Sequence, residues 1–499
     1  MQQKGHFQVS ESEINEVFSD VYREQWNEAE QRRIDADIEK NRKADGLFQL
    51  PNSAAGREIK VEQLTHDFVF GSHIFNFDQL GTDERNARYK EIFGTLFNSA
   101  TISFYWKTME MKEGHPRYEA EYRDTADFWN HCAEPQKELH WRRPAVDPVV
   151  EFCRSKGVRL HGHTLVWGNN TWQIPDWLIA KIPLQSLKKA NFDFYTHDKL
   201  RSNATEFAFT DMSVEQMEEA LGEYTTLINT HMAKRIIEIA MRYGDKVDSW
   251  DVVNESAKDF HVGAMFPDSK LCKSTYGPMP GDYTFRGFKI AEGVFPAKAK
   301  LNINDYFLNE SYANQVDDLL KRGCKIDIMG AQMHLFDPKA CLSIAEGKNH
   351  DSGDTQSPVR VRETMDIISK PGLPLHLSEI TIVSPTTDRR GQIIQAGIAR
   401  NLYRLWFSLE PMMGITWWNV VDGCGALGEP AISGLFTRDM QPKLAYYALD
   451  ELINHEWRTN TVCNADKDAK AQFRGFRGNY RLSWVGADGQ EESQVCHLK

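Results

Sequence analysis

Eight short apolar runs separated by long helical stretches constrain this chain more than any other feature. The runs span 68–71, 99–104, 159–166, 249–253, 299–303, 328–332, 375–377 and 414–417, with patterns of helical period over 147–156, 215–243 and 389–408 between them. Two parallel strands need a crossover of a dozen or more residues, which a helix supplies, and eight such strands close into a barrel that their own side chains just fill. The expectation is therefore an α/β chain, a (β/α)8 TIM barrel over residues 65–455. In that architecture reactive groups sit where strands open into loops at their C-terminal ends, so chemistry is sought there. A chain of 499 residues, 41% of them apolar, is long enough for one large core of this kind.

The segments outside the barrel read differently. Residues 11–45 carry a helical pattern, with Ile14, Val17, Phe18 and Val21 on one face and Ile34 and Ile38 continuing it. Stretches 46–50 and 58–64, separated by a turn containing Pro51 and Gly56, read as a short hairpin, so residues 1–64 are expected to form an N-terminal helix and hairpin. Past residue 455, the stretch 471–484 and the glycine turn at 486–489 read as two further strands. A tail of residues 456–499 cannot bury a core alone. It is expected to join the hairpin in a small β-module made from both ends of the chain.

Two barrel runs end in a carboxylate. SWDVVNE (249–255) delivers Asn254 and Glu255, and LHLSE (375–379) delivers Glu379. Two carboxylates at two strand ends are the minimum equipment for splitting a glycosidic bond, one giving a proton and the other acting as nucleophile or base. The other strand ends supply His163 and Trp167, Tyr306, Gln332 and His334, and Trp418. Amides, histidines and aromatics, without a lysine base, a phosphate-binding glycine loop or a cysteine nucleophile, suit a neutral polyol. Thirteen tryptophans fit the same reading, since a flat ring matches the apolar face of a sugar.

Charge and cysteine usage narrow the classes further. The net charge is 59 − 71 = −12 and basic runs are missing, which speaks against nucleic acid or an anionic membrane surface as partner. No stretch is long and apolar enough for a membrane span. The eight cysteines never fall in a Cys-x-x-Cys pair, against a zinc ribbon or a disulfide scaffold. His161 and His163 alternate on one strand and could begin a metal site, but His334 is the only obvious extra histidine. The expectation is no metal and no cofactor, with His163 contacting substrate and His161 supporting it. The N-terminus lacks an apolar leader, which leaves a cytoplasmic protein or one whose signal peptide has been removed; the expectation is the second, a secreted, periplasmic or cell-surface protein.

Taken in order, HTLVW (163–167), WDVVNE (250–255), NINDY (302–306), QMH (332–334), Ser378 with Glu379, and GITWW (414–418) resemble glycoside hydrolase family 10, the endo-β-1,4-xylanases. The resemblance implies a retaining mechanism with Glu255 as acid/base and Glu379 as nucleophile. It implies that Asn254, His163, His334, Gln332, Trp167 and Trp418 line the subsite of the sugar under attack, with Tyr306 a further contact. Asn254 would bond the 2-hydroxyl, His334 would orient Glu379, and burial with repulsion from Glu379 would keep the proton on Glu255 near neutrality. Xylan or xylo-oligosaccharides become the expected partner. The alternatives are an endo-β-glucanase of the same mechanism and a catalytically weak carbohydrate-binding relative, and the presence of both carboxylates speaks against the latter.

The departures from the family pattern bear on specificity. Where the family has Glu-Asn and then Lys-Trp after the second strand, this chain has ISFYW (102–106), with Tyr105 at the lysine position. Thr381 stands where the family has an aspartate after the nucleophile. The family's His-Ser-Gln is replaced by Gly168-Asn169-Asn170 with added residues, so Gln173 or Asn170 is expected to fill the glutamine role. The tryptophan usual after the eighth strand is replaced by a small-residue loop at 422–428. Insertions at 119–144 and 257–283 are expected to remodel the cleft. The reading is a site that cuts β-1,4-xylan and tolerates substituents near the cut.

Overall fold

A computed structural model describes residues 9–119, 144–189, 196–200, 213–261, 271–274, 277–348, 356–426 and 428–499. Most of the insertion expected at 119–144, and residues 262–270 and 275–276 of that at 257–283, fall outside these. The eight runs form one closed parallel barrel. Its strands are β3 (Val69–His73), β4 (Ser99–Ser103), β5 (Arg159–His163), β6 (Ser249–Asn254), β9 (Lys300–Asp305), β10 (Ile328–Leu335), β11 (Leu375–Ile382) and β12 (Met412–Trp417). A two-stranded antiparallel excursion, β7 (Leu271–Ser274) with β8 (Gly277–Pro280), lies between β6 and β9 in the chain. Barrel strands are covered on both faces, which is why they are nearly continuous buried runs rather than alternating ones.

Two glycines allow the interior to close. A Cβ on Gly162 would stand 2.3 Å from the ring of Trp250, so the glycine between His161 and His163 seats that indole in the core. A Cβ on Gly330 would stand 2.5 Å from Oδ1 of Asn304, so Gly330 on β10 makes room for an amide on β9.

The N-terminal extension departs from a single amphipathic helix. It forms three, Glu11–Val17, Asp20–Gln25 and Glu28–Arg42, because Ser19 and Asn27 cap new helices with their side-chain oxygens. Each restart resets the phase of the buried face. Phe18, Tyr22, Trp26, Ile34 and Ile38 are buried, with the ring of Phe18 against Gly397 of the barrel helix Arg389–Ser408, whereas Val21 is 49% exposed.

The stretches expected as a hairpin do not pair with each other. β1 (Lys43–Gln49) pairs antiparallel with β14 (Lys470–Phe476), while β2 (Glu58–Gln63) lies between β13 (Asn460–Asn464) and β15 (Gly478–Val485). β16 (Glu491–Leu498) completes that sheet, so the tail contributes four strands rather than two. Ile59, Val61, Phe473, Tyr480, Leu482 and Trp484 form a core of their own between the two ends of the chain.

Candidate active site

A cleft of about 940 Å³ opens at the C-terminal ends of the barrel strands. That is near the upper end for pockets that hold one small molecule, and it suits several sugar rings in a row. Asn254, Glu255, Tyr306, Gln332, His334, Glu379, His163, Trp167 and Trp418 all line it.

Glu255 follows the last residue of β6 with φ of 53°, in the left-handed region that a non-glycine residue occupies at a cost. Its backbone N–H donates to the carbonyl of Asn304 at 2.8 Å, which pins the bend to the neighbouring strand β9. Asp305, next along β9, accepts from the backbone N–H groups of Ala257 and Phe307, each at 2.8 Å, and so ties the turn after Glu255 to the loop carrying Tyr306. Asp305 is buried, and burial, with the charge of Asp259 adding to it, pushes its carboxyl up to about 6 against the lowering effect of the backbone donors.

The two carboxylates are joined by a chain of amides. Asn304 Nδ2 donates to Glu379 Oε1 at 2.8 Å and to Asn254 Oδ1 at 2.9 Å, while its Oδ1 accepts from the Ser378 hydroxyl. Gln332 Nε2 donates to Glu255 Oε1 at 3.1 Å and to Asn254 Oδ1 at 3.3 Å. An ionised carboxylate only accepts, so Glu379 sets which end of the Asn304 amide faces it. Asn254 then receives donors at its oxygen, and its Nδ2 is the end turned away from both partners.

Two histidines flank the buried Glu379. His163 Nε2 lies 3.7 Å from Oε1 and His334 Nε2 lies 3.4 Å from Oε2. His334 is held from its other nitrogen by the Thr381 hydroxyl at 2.9 Å, so Thr381 engages this network as a neutral group. His163 Nδ1 and His161 Nε2 both reach Asp251 Oδ2 at 2.8 Å. Burial alone would raise the Asp251 carboxyl, but the two imidazoles outweigh it and hold it well below the carboxylate range. Burial opposes a charge on His163, yet Glu379 and Asp251 on either side outweigh that and raise its pKa. The His-x-His pair thus spends one nitrogen of each ring on a carboxylate within the barrel, with His161 behind and His163 at the cleft.

Around this centre the walls are aromatic. Trp418 meets His163, His73 and Phe75 edge-on at centroid distances of 5.6, 5.0 and 5.4 Å. Tyr105 stands edge-on to His163 at 5.3 Å and also lines the cleft. Ser103, at the end of β4, is buried and lines a separate small void beside Met109 and Arg117. Gln173 is likewise outside the cleft lining. Its Oε1 accepts from the backbone of Trp106 at 3.1 Å and its Nε2 donates to the carbonyl of Leu165 at 3.1 Å, so the amide is consumed in holding the loop. Asn170 is also buried, donating to the Leu200 carbonyl, and Asn169 and Trp172 are the loop residues that reach the cleft. In the loop after β12, Glu429 faces the cleft with Oε2 held by Asn419 and the N–H of Ala426.

Sequence reasoning passed over Asn304 and Asp251. The signal for Asn304 was present in NIND (302–305), where two asparagines share one face of a strand that ends in the site.

Residues 62–452 match the family model for glycosyl hydrolase family 10. The chain is similar to endo-1,4-β-xylanase A of Caldicellulosiruptor sp. strain Rt8B.4, 26% identical over 61% of this chain and 38% of that protein. It is also similar to endo-1,4-β-xylanase C of Paenibacillus barcinonensis, 24% identical over 83% of this chain and 34% of that protein. The chain therefore spans well under half the length of these curated relatives. Among solved structures, native xylanase 10B from Thermotoga maritima superposes with a TM-score of 0.50 at 19% identity, covering 78% of this chain and 96% of that one.

Proposed function

The chain belongs to glycosyl hydrolase family 10, and on that footing we propose that it is a retaining endo-1,4-β-xylanase in which Glu379 is the nucleophile and Glu255 the acid/base. The observation that carries this is the unequal setting of the two carboxyl groups. Glu379 is buried among an amide donor at 2.8 Å and two histidines, a setting that suits an anion, whereas Glu255 is half-buried at the cleft with Gln332 as a donor. Two carboxyls in different surroundings are how one site divides nucleophile from acid.

In the first step Glu379 attacks the anomeric carbon while Glu255 gives its proton to the departing glycosidic oxygen. In the second, Glu255 takes a proton from water, which displaces Glu379 from the sugar. Asn254 Nδ2 donates to the 2-hydroxyl of the sugar under attack, a bond that strengthens as positive charge grows at the ring. His163 and His334 hold Glu379 in line. Tyr105 and the small-residue loop before Glu429 leave room and a stacking face beside that sugar, which favours tolerance of substituents near the cut.

Proton NMR of the first products tests the mechanism, with β-anomer released first expected and α-anomer first refuting it. Glu379→Ala should lose several orders of magnitude on every substrate, whereas Glu255→Ala should lose far less on aryl glycosides whose leaving group needs no proton. For tolerance, a clear preference in kcat/KM for linear xylotetraose over arabinose-decorated xylan would overturn the reading.

A further inference from the structure

The cleft has chemically different walls. On one side His163, Trp167 and Trp418 surround the place of the sugar under attack, so on the proposed reading the leaving part of the polymer lies against the other, formed by the segments after β9 and β10. That second wall presents Tyr306, 42% exposed, and Phe336, 37% exposed and stacked on His334 at 4.5 Å. The same cleft is lined by Arg360, the only lysine or arginine among the described residues that line it.

Local structure gives no reason for that arginine. It sits in the first turn of the helix Pro358–Ile368, where the helix dipole disfavours a cation. Its ion pair with Glu363 is 3.6 Å long with both side chains more than half exposed, the kind of pair that contributes little. The other fixed charges of the cleft, Glu255, Glu379 and Glu429, are acidic, and the whole chain carries −12. A negatively charged substituent is repelled along most of this cleft and attracted at one corner.

We propose that Arg360 is a specificity residue that reads the carboxylate of a uronic acid substituent carried by the leaving part of the xylan chain. The guanidinium offers two parallel N–H donors to a carboxylate, and the Tyr306 and Phe336 rings in the same cleft offer stacking faces to sugars of the chain. Selection by Arg360 fixes where the bond is cut relative to the substituent. This assignment rests on the proposed xylanase reading for the direction of the chain, and on the position of Arg360 for the charge preference.

The test compares a neutral xylo-oligosaccharide, the same chain bearing one glucuronate, and that chain with the carboxyl reduced to an alcohol, which keeps the shape and removes the charge. Wild-type protein should cut the acidic chain about five- to tenfold more efficiently than the reduced one, and the ratio should shrink toward one in 0.5 M salt. Arg360→Gln should bring the ratio to about one at low salt with less than a twofold change on the neutral substrate, and Arg360→Glu should invert it. Mass spectrometry should show the position of the uronate relative to the cut changing between wild type and Arg360→Gln. Equal rates on the acidic and reduced chains, or a preference that survives Arg360→Gln, overturns the assignment. Titration calorimetry of the full chain with the acidic and reduced oligosaccharides reads the same ratio as binding. Absence of cutting on the neutral substrate thus defeats the hydrolase reading, while the binding ratio separately supports or defeats the role of Arg360.

Discussion

On the proposed mechanism, replacing Asn304 should disable Glu379 as the nucleophile without removing a group that itself bonds substrate. In Asn304→Ala, Glu379 loses a charge-assisted hydrogen bond of 2.8 Å and Asn254 loses the 2.9 Å donor that turns its Nδ2 away. A hydrogen bond to a charged group is worth about 1.5–3 kcal/mol and a neutral one about 0.5–1.5 kcal/mol, so the two together amount to about 2–4.5 kcal/mol. At 1.4 kcal/mol per decade that is a loss of tens- to roughly a thousandfold in kcat/KM, carried mainly by kcat because neither bond is made to substrate in the ground state. Asn304→Asp makes the argument sharper. It keeps shape and the acceptor for Ser378 but sets a second anion against Glu379, so at neutral pH it should be slower than the alanine variant and recover partially as the new carboxyl is protonated. Steady-state kinetics on xylotetraose between pH 4 and 8, with melting curves to confirm folding, measures all of this. If Asn304→Ala keeps more than a third of wild-type kcat/KM and Asn304→Asp is no worse, the amide chain does not organise the site.

Gly330→Ala probes the same amide from behind: its new Cβ would stand 2.5 Å from Asn304 Oδ1, so it should cost about 1–3 kcal/mol of stability and lower kcat about tenfold or more, and an unchanged kcat would show that the seat of Asn304 is adaptable. Asp305 predicts a pH dependence of stability. Its carboxyl rises on folding from 3.8 to about 6, so the folded state holds the proton more tightly than the unfolded one. The resulting cost, on the order of 3 kcal/mol, is fully present above pH 6 and relieved as pH falls toward 4. Urea unfolding should show wild type gaining on Asp305→Asn across that window; a difference that does not vary with pH would reject it.

The barrel strands were legible because each lies covered on both faces, so burial writes itself into the chain as a continuous apolar run whatever the strand's neighbours are. The places to look for chemistry followed from the same fact, since those runs end where polar side chains first meet solvent, as at Glu255 and Glu379. Depth along the barrel was not legible. Asn302 and Asn304 share a face, and only the register of β9 against β6 and β10 puts Asn304 level with Asn254 and Gly330 while Asn302 lies deeper. Loop conformation was equally hidden. Gln173 and Asn170 are polar residues near the right place, and their amides are taken up by backbone groups that no spacing rule identifies.

Partner choice at long range decided the rest. β1 and β2 are close in sequence and satisfy the pattern of a hairpin, yet each pairs with strands contributed by the far end of the chain, because the apolar side chains of both ends must share one small core and the closure of a long loop costs only slightly more than that of a short one. Helix phase was lost in the same way at Ser19, where a cap available to the backbone restarts the helix and rotates Val21 outward. The amino-acid sequence by itself determined which segments are buried and which residue types stand at the strand ends, since both follow from local polarity. Which amide touches which carboxylate, and which strand lies beside which, was decided only by the closed barrel, because register and long-range pairing are properties of the whole chain.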